Sequence, residues 1–204
     1  MDYFVHNAGS PDGVIDGGII VFAGGNESAP AASYPAAYPD YISVAATAGD
    51  YTPAVYTNYG TGTTISAPGG DQDYYYEYGE GPNKGAAGCV LSTLPYNVTG
   101  TAGELAGYGY MEGTSMACPH VSGVAALGLS YAAKLKKHFK AKDFIELLYQ
   151  TATPIDQYMT GIKQYKKYII DLEGSSPMMS FDMKSFKGGM GHGQVNAYAL
   201  LKAV

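Results

Sequence analysis

Four short apolar runs constrain this chain most. They lie at residues 18–23 (GIIVFA), 41–46 (YISVAA), 63–67 (TTISA) and 90–94 (VLSTL), each of strand length. A strand with one wet face alternates apolar and polar residues, whereas these runs are apolar on both faces. Such strands need cover on both sides, as in a parallel sheet under helices. Helix is predicted over 114–137, 141–151 and 196–201; in the second, Phe144, Leu147 and Leu148 follow i, i+3, i+4 spacing and give one buried face. Residues 2–8 read as the last turns of an amphipathic helix, broken at Gly9-Ser10-Pro11. The expected fold class is α/β, three-layer with a mostly parallel sheet.

Composition narrows the function classes. At 46% apolar over 204 residues, the chain is globular and has material for one sizeable core. No apolar run reaches the roughly 18 residues of a membrane span, and the first residues lack a signal peptide's basic and apolar regions. Residues 1–133 carry a net charge of −11 and residues 134–204 a net of +5, with no arginine anywhere. A nucleic-acid binder would want a basic surface with guanidinium forks, so neither nucleic acid nor membrane is an expected partner. Lys134, Lys136, Lys137, Lys140 and Lys142 read as the solvated face and end of a helix. Cys89 and Cys118 fit either a disulfide or two semi-buried thiols; free thiols are the expectation.

Two segments read as surface insertions. Residues 71–84 (DQDYYYEYGEGPNK) are acidic and tyrosine-rich, and residues 171–191, overlapping a longer departure at about 158–190, show no clear period. Tyrosines in such loops could contact a partner, but a surface loop without an assigned role is the expectation. Asp71, Asp73, Glu77 and Glu80 form either a solvated loop or a cation site; the solvated loop is expected.

One segment carries chemistry. Gly113-Thr114-Ser115-Met116-Ala117-Cys118-Pro119-His120-Val121-Ser122-Gly123 runs straight into the apolar start of a predicted helix. It sets a hydroxyl at a helix N-terminus, in a positive field and beside unpaired backbone N–H groups. Those donors can stabilise an oxyanion forming on an acyl group attacked by the serine. A bare Gly-Thr-Ser would read as an ordinary helix cap.

The whole eleven-residue run resembles the nucleophile motif of the subtilisin-like serine proteases, the subtilases. Val21-Phe22-Ala23-Gly24-Gly25-Asn26-Glu27 resembles the strand of that family that ends in its oxyanion-hole asparagine. Further matches follow in the family's order: Tyr34-Pro35-Ala36-Ala37-Tyr38-Pro39, Ser66-Ala67-Pro68-Gly69, Leu91-Ser92-Thr93-Leu94-Pro95 and Gly191-His192-Gly193-Gln194-Val195-Asn196-Ala197. The resemblance implies a truncated subtilisin-like fold over 1–204, the C-terminal portion of a peptidase domain. It implies Ser115 as nucleophile, Asn26 as oxyanion donor, and Ala23, Gly24, Gly25 and Ser33 as part of the substrate pocket. Asn26-Glu27-Ser28 and Asn97-Val98-Thr99 also fit glycosylation sequons, which are discounted.

Subtilases order their triad Asp, His, Ser. The family's Asp-Thr/Ser-Gly turn and His-Gly-Thr-His run do not occur in these 204 residues. His120 follows Ser115 by five residues, which on a helix is about 7.5 Å along the axis and about 140° around it, out of reach of the hydroxyl. His6, His138 and His192 have no motif around them. Without a base the serine is a poor nucleophile, so the isolated chain is expected to be inactive or nearly so. A sheet edge and apolar faces left uncovered predict self-association or docking of the missing protease half. Two functions stay open: a serine endopeptidase acting on peptide or protein substrates, and an inactive remnant or binding module that keeps the fold. By family analogy the expectation is a secreted or cell-envelope protein without cofactor; calcium is common in the family, yet no carboxylate cluster has ligand spacing.

Overall fold

Three of the four apolar runs form the expected parallel sheet. The computed structural model describes residues 1–10, 12–74, 85–94, 107–165 and 179–204. Strands β1 (Val21–Ala23), β2 (Ile42–Thr47) and β3 (Ile65–Pro68) lie in the order β1-β2-β3, with Val21 beside Ile42 and Val44 beside Ile65. Every residue of β2 is buried, which is why its sequence does not alternate.

The pleat divides these residues between two cores. Ile42, Val44, Ala46, Ile65 and Ala67 face a cluster shared with the helices, whereas Ala45 joins Ile155, Met159, Met183, Phe186 and Met190 on the opposite face. A long helix, Thr114–Lys134, lies on the first face through its small residues Ala117, Val121, Ala125 and Ala132. A Cβ on Gly128 of this helix would sit 2.8 Å from Leu200 and 3.0 Å from Phe144, so glycine admits the close approach of two further helices, Ala141–Gln150 and Ala197–Ala203. Phe144, Leu148 and Leu200 are fully buried there, each contributing roughly 1.5–3 kcal/mol. No helix among the described residues is long and apolar enough to cross a membrane.

The fourth run departs from expectation. Val90–Thr93 (β4) pairs antiparallel with Tyr108–Met111 (β5) in a separate two-stranded ribbon, and its Leu91, Ser92 and Thr93 are exposed. Two hydroxyl residues in a four-residue strand fit a wet ribbon better than a sheet interior.

The segment read as a second surface insertion also departs, in its described parts. Ile162–Tyr165 (β6) and Met179–Asp182 (β7) form an antiparallel pair, and Met159, Met183, Phe186 and Met190 around it cover the second face of the parallel sheet. Unbranched methionines fill an irregular layer without the periodicity of a helix. Residues 75–84, most of the first insertion, lie outside the described residues, as does the sequon at Asn97. The first helix, Asp2–Asn7, buries none of its residues, leaving Tyr3 79% and Phe4 49% exposed. β1 is an edge strand, with β2 its one partner among the described residues.

Candidate active site

The C-terminal ends of β1 and β3 meet the N-terminus of the long helix, and Ser115 and Asn26 come together there. Ser115 is exposed in the first turn of Thr114–Lys134, and Asn26 is exposed three residues past β1. Between them stands Thr114, fully buried. The Asn26 Oδ1 accepts from the Thr114 backbone N–H at 2.9 Å and from its hydroxyl at 2.8 Å. With the carboxamide oxygen held inward twice, the amide nitrogen is turned to the open side.

Gly113 shapes the space in front of it. Its backbone sits at φ 140°, ψ 160°, a region that only glycine adopts readily. A Cβ placed on it would lie 3.5 Å from the Ser115 nitrogen and 3.7 Å from the Asn26 Nδ2. Glycine therefore leaves empty a spot facing both donors, where an oxygen carrying developing charge could sit.

The residues expected to line a pocket form one contiguous wall. Ala23 ends β1, the Gly24 N–H donates to the Val44 carbonyl at 2.9 Å, and the Ser33 N–H donates to the Gly24 carbonyl at 2.7 Å. Gly25, at φ 115°, donates its N–H to the Thr114 hydroxyl at 3.3 Å. A side chain on Gly25 would collide with Asn58 Nδ2 at 2.3 Å and Ser33 Oγ at 2.8 Å.

The buried Asn58 organises this wall and went unnoticed in the sequence. Its Oδ1 accepts from the N–H groups of Glu27 and Ala29, both at 3.0 Å, and its Nδ2 donates to Glu27 Oε2 at 2.7 Å, Ser33 Oγ at 3.1 Å and the Gly24 carbonyl at 3.2 Å. The Asn58 amide chiefly, then nearby N–H groups and the Ser33 hydroxyl, hold the carboxyl of the exposed Glu27 below its usual pKa, against an opposing desolvation cost. No motif around residues 56–60 signalled this role.

Glu112, just before the turn, was also missed. Burial first, then the charges of Asp71 and Asp73, push its carboxyl up to about 7, although the Gln72 N–H bonded to it acts the other way.

The four histidines are engaged elsewhere. His120 Nδ1 lies 2.8 Å from the Met116 carbonyl of its own helix, His6 pairs with Asp2, His138 contacts the Gly13 carbonyl, and His192 stacks on Tyr149. Among the described residues none is hydrogen-bonded to the Ser115 hydroxyl. Cys89 and Cys118 are free, half-buried thiols.

At Asp71, though not over the loop as a whole, the structure departs from the solvated reading of the acidic segment. Asp71 is completely buried, accepting from the Tyr165 hydroxyl at 2.8 Å and lying 3.4 Å from the ammonium of Lys163, a residue itself only 6% exposed. Lys163 also reaches Thr52 Oγ1 at 2.7 Å and Asp50 at 3.5 Å. Asp71 is thus committed to a cation of the chain's own, and no group of three His, Cys, Asp or Glu among the described residues could hold a metal ion. Glu77 and Glu80 lie outside the described residues.

Comparison with known proteins gives this arrangement its family. The model of the subtilase family matches residues 6–180. The chain is 34% identical over 139 residues to an extracellular basic protease of Dichelobacter nodosus, covering 67% of this chain and 20% of that protein. It is 33% identical over 152 residues to a thermophilic serine proteinase of a Bacillus species, covering 74% and 29%. Among solved structures, a Pseudoalteromonas arctica protease superposes with a TM-score of 0.61 at 25% identity, over 92% of this chain and 43% of that one. The epidermin leader peptide processing serine protease of Staphylococcus aureus does so at 0.59 and 26%, over 90% and 40%. The chain thus spans under a third of these curated relatives and under half of these solved chains. With a family match over most of its length and a superposition over nine-tenths of it, the chain belongs to the subtilase family.

Proposed function

We propose that this chain carries the nucleophile and oxyanion side of a serine endopeptidase acting on peptide or protein substrates. Ser115 Oγ attacks the scissile carbonyl carbon, and the carbonyl oxygen becomes an oxyanion facing the Ser115 N–H and Asn26 Nδ2. Collapse re-forms the C=O and breaks the C–N bond. The amine leaves with the proton taken from Ser115, and water then hydrolyses the ester. The observation that carries this reading is the double hydrogen bond from Thr114 to Asn26 Oδ1, which turns the amide nitrogen toward the spot left open by Gly113.

The proton needs a carrier, and all four histidines have other partners. We assign the base and its aspartate to a polypeptide segment outside these 204 residues, so the chain alone is inactive or nearly so. The edge of β1, without a second partner strand among the described residues, and the aromatic series Phe22, Tyr41, Tyr38 and Tyr34 beside it offer a docking face for that segment or for a second copy of the chain. The extracellular naming of relatives supports secretion of the whole protein.

Labelling with a fluorophosphonate, read by mass spectrometry, tests the reading. The chain alone is expected to remain unlabelled. Mixed with a polypeptide supplying the family's Asp and His segments, it is expected to be labelled at Ser115, and Ser115→Ala abolishes this. A folded mixture that never reacts refutes the endopeptidase reading and leaves the binding-module alternative. Sedimentation of the chain alone as a monomer argues against self-association.

A further inference from the structure

We infer that the Tyr56 hydroxyl positions the nucleophile turn, a role that rests on reading Ser115 as the nucleophile. Tyr56 lies between β2 and β3 with its ring packed against the main core. Its O–H points at the carbonyls of Gly69, at 2.9 Å, and Gly70, at 2.7 Å, the two residues that follow β3. Its oxygen accepts from the Gly113 N–H at 2.8 Å. A phenol has one proton to give and lone pairs to accept with; here the proton is shared by two carbonyls while a lone pair faces the turn.

Gly113 is thereby held at both ends. Its N–H also reaches the Gly69 carbonyl at 2.9 Å, and its own carbonyl accepts from Met116 at 2.9 Å and Ala117 at 3.2 Å. The orientation of this one residue decides whether the Ser115 N–H and Asn26 Nδ2 face a common point, because that point is the space its missing side chain leaves. The strand end on the other side of the hydroxyl is itself anchored. Asp71, the next residue after Gly70, is locked by Tyr165, Lys163 and the Val55 N–H. Tyr56 therefore ties a fixed strand end to the turn. Burial, with the charges of Glu112 and Asp71 acting in the same direction, raises the phenol's pKa well above its usual value and keeps the donated proton in place.

The test compares the 15N-labelled chain with its Tyr56→Phe and Tyr56→Leu variants. Phe keeps the ring and removes only the hydroxyl. In Tyr56→Phe the amide resonances of Gly113 and Ser115 and the side-chain amide of Asn26 are expected to shift. The Gly113 N–H is expected to exchange at least about ten-fold faster, while amides of the helices at 141–150 and 197–203 stay in place. A role in packing alone predicts instead that Phe matches wild type and only Leu disturbs the turn; that pattern overturns the inference.

A second readout uses the complemented chain. Where wild type reacts with the fluorophosphonate, Tyr56→Phe is expected to react at least about five-fold more slowly at saturating probe, with an unchanged half-saturating concentration. Equal rates overturn the inference. Wild type that never reacts refutes the nucleophile reading instead, and the resonance comparison then still decides whether Tyr56 orients the turn.

Discussion

Thr114 holds Asn26 from two directions, with its backbone N–H at 2.9 Å and its hydroxyl at 2.8 Å on the same carboxamide oxygen. The hydroxyl also accepts the Gly25 N–H, so it joins the loop after β1 to the helix start. Thr114→Val keeps the shape and removes both of these bonds. We expect a loss of about 1–3 kcal/mol in stability, because the Gly25 N–H loses its acceptor in a part-buried setting. Ser115 labelling in the complemented chain should slow about ten-fold, as Asn26 becomes free to turn. Removing an oxyanion donor outright from subtilisin, a member of this family, costs about 2.7–4 kcal/mol, so Asn26→Ala should be the more damaging change. Denaturant unfolding and labelling rates of both variants check the order; Thr114→Val as reactive as wild type would show that the N–H alone suffices.

Gly113→Ala tests the open spot. The new methyl would stand 3.5 Å from the Ser115 nitrogen and 3.7 Å from Asn26 Nδ2, in a backbone region costly to any side chain. We expect about 1–3 kcal/mol of destabilisation from backbone strain and loss of labelling at least as large as in Asn26→Ala. An alanine variant that folds, melts like wild type and labels at the wild-type rate would mean that no oxyanion occupies this space.

Much of this arrangement is legible in the sequence, for a physical reason. β2 is buried on both faces, and its unbroken apolar run says so; the Ser115 turn and Asn26 sit in long local motifs. The rest is long-range. Asn58 gathers Gly24, Glu27, Ala29 and Ser33 from up to 34 residues away, and Lys163 reaches Asp71 across 92. Nothing local to either residue marks it. The methionine layer at Met159, Met183 and Met190 is hidden in the sequence because an irregular layer has no period to detect, and the five-residue run at 90–94 does not reveal that β4 pairs with β5 outside the parallel sheet.

Lys163 and Asp71 give a prediction about stability. Lys163→Met leaves the Asp71 carboxylate buried with its ammonium gone, keeping the Tyr165 hydroxyl and the N–H groups of Val55 and Tyr74. Breaking such a pair typically costs about 3–5 kcal/mol, whereas replacing both charges is often near neutral. We therefore expect Asp71→Asn combined with Lys163→Met to unfold at a higher denaturant concentration than Lys163→Met alone. Additive losses in the double-mutant cycle would mean the two groups are not coupled.

Glu112 gives the pH dependence. Its carboxyl is buried beside Asp71 and Asp73, and its folded pKa is raised from 4.5 to about 7. The folded chain thus holds this proton more tightly than the unfolded chain. The resulting stability is fully present below about 4.5 and is lost as the pH rises through about 7. The raised pKa corresponds to about 3 kcal/mol over that window. Glu27 has the opposite sign, its lowered pKa placing its loss below the ordinary carboxylate range, so the two windows do not overlap. Glu112→Gln is neutral at every pH and serves as the reference. The difference in unfolding free energy, wild type minus Glu112→Gln, should fall between pH 5 and pH 8 by an amount of this order. A flat difference would mean that Glu112 is already ionised at pH 5, with the Gln72 N–H outweighing burial and the neighbouring charges.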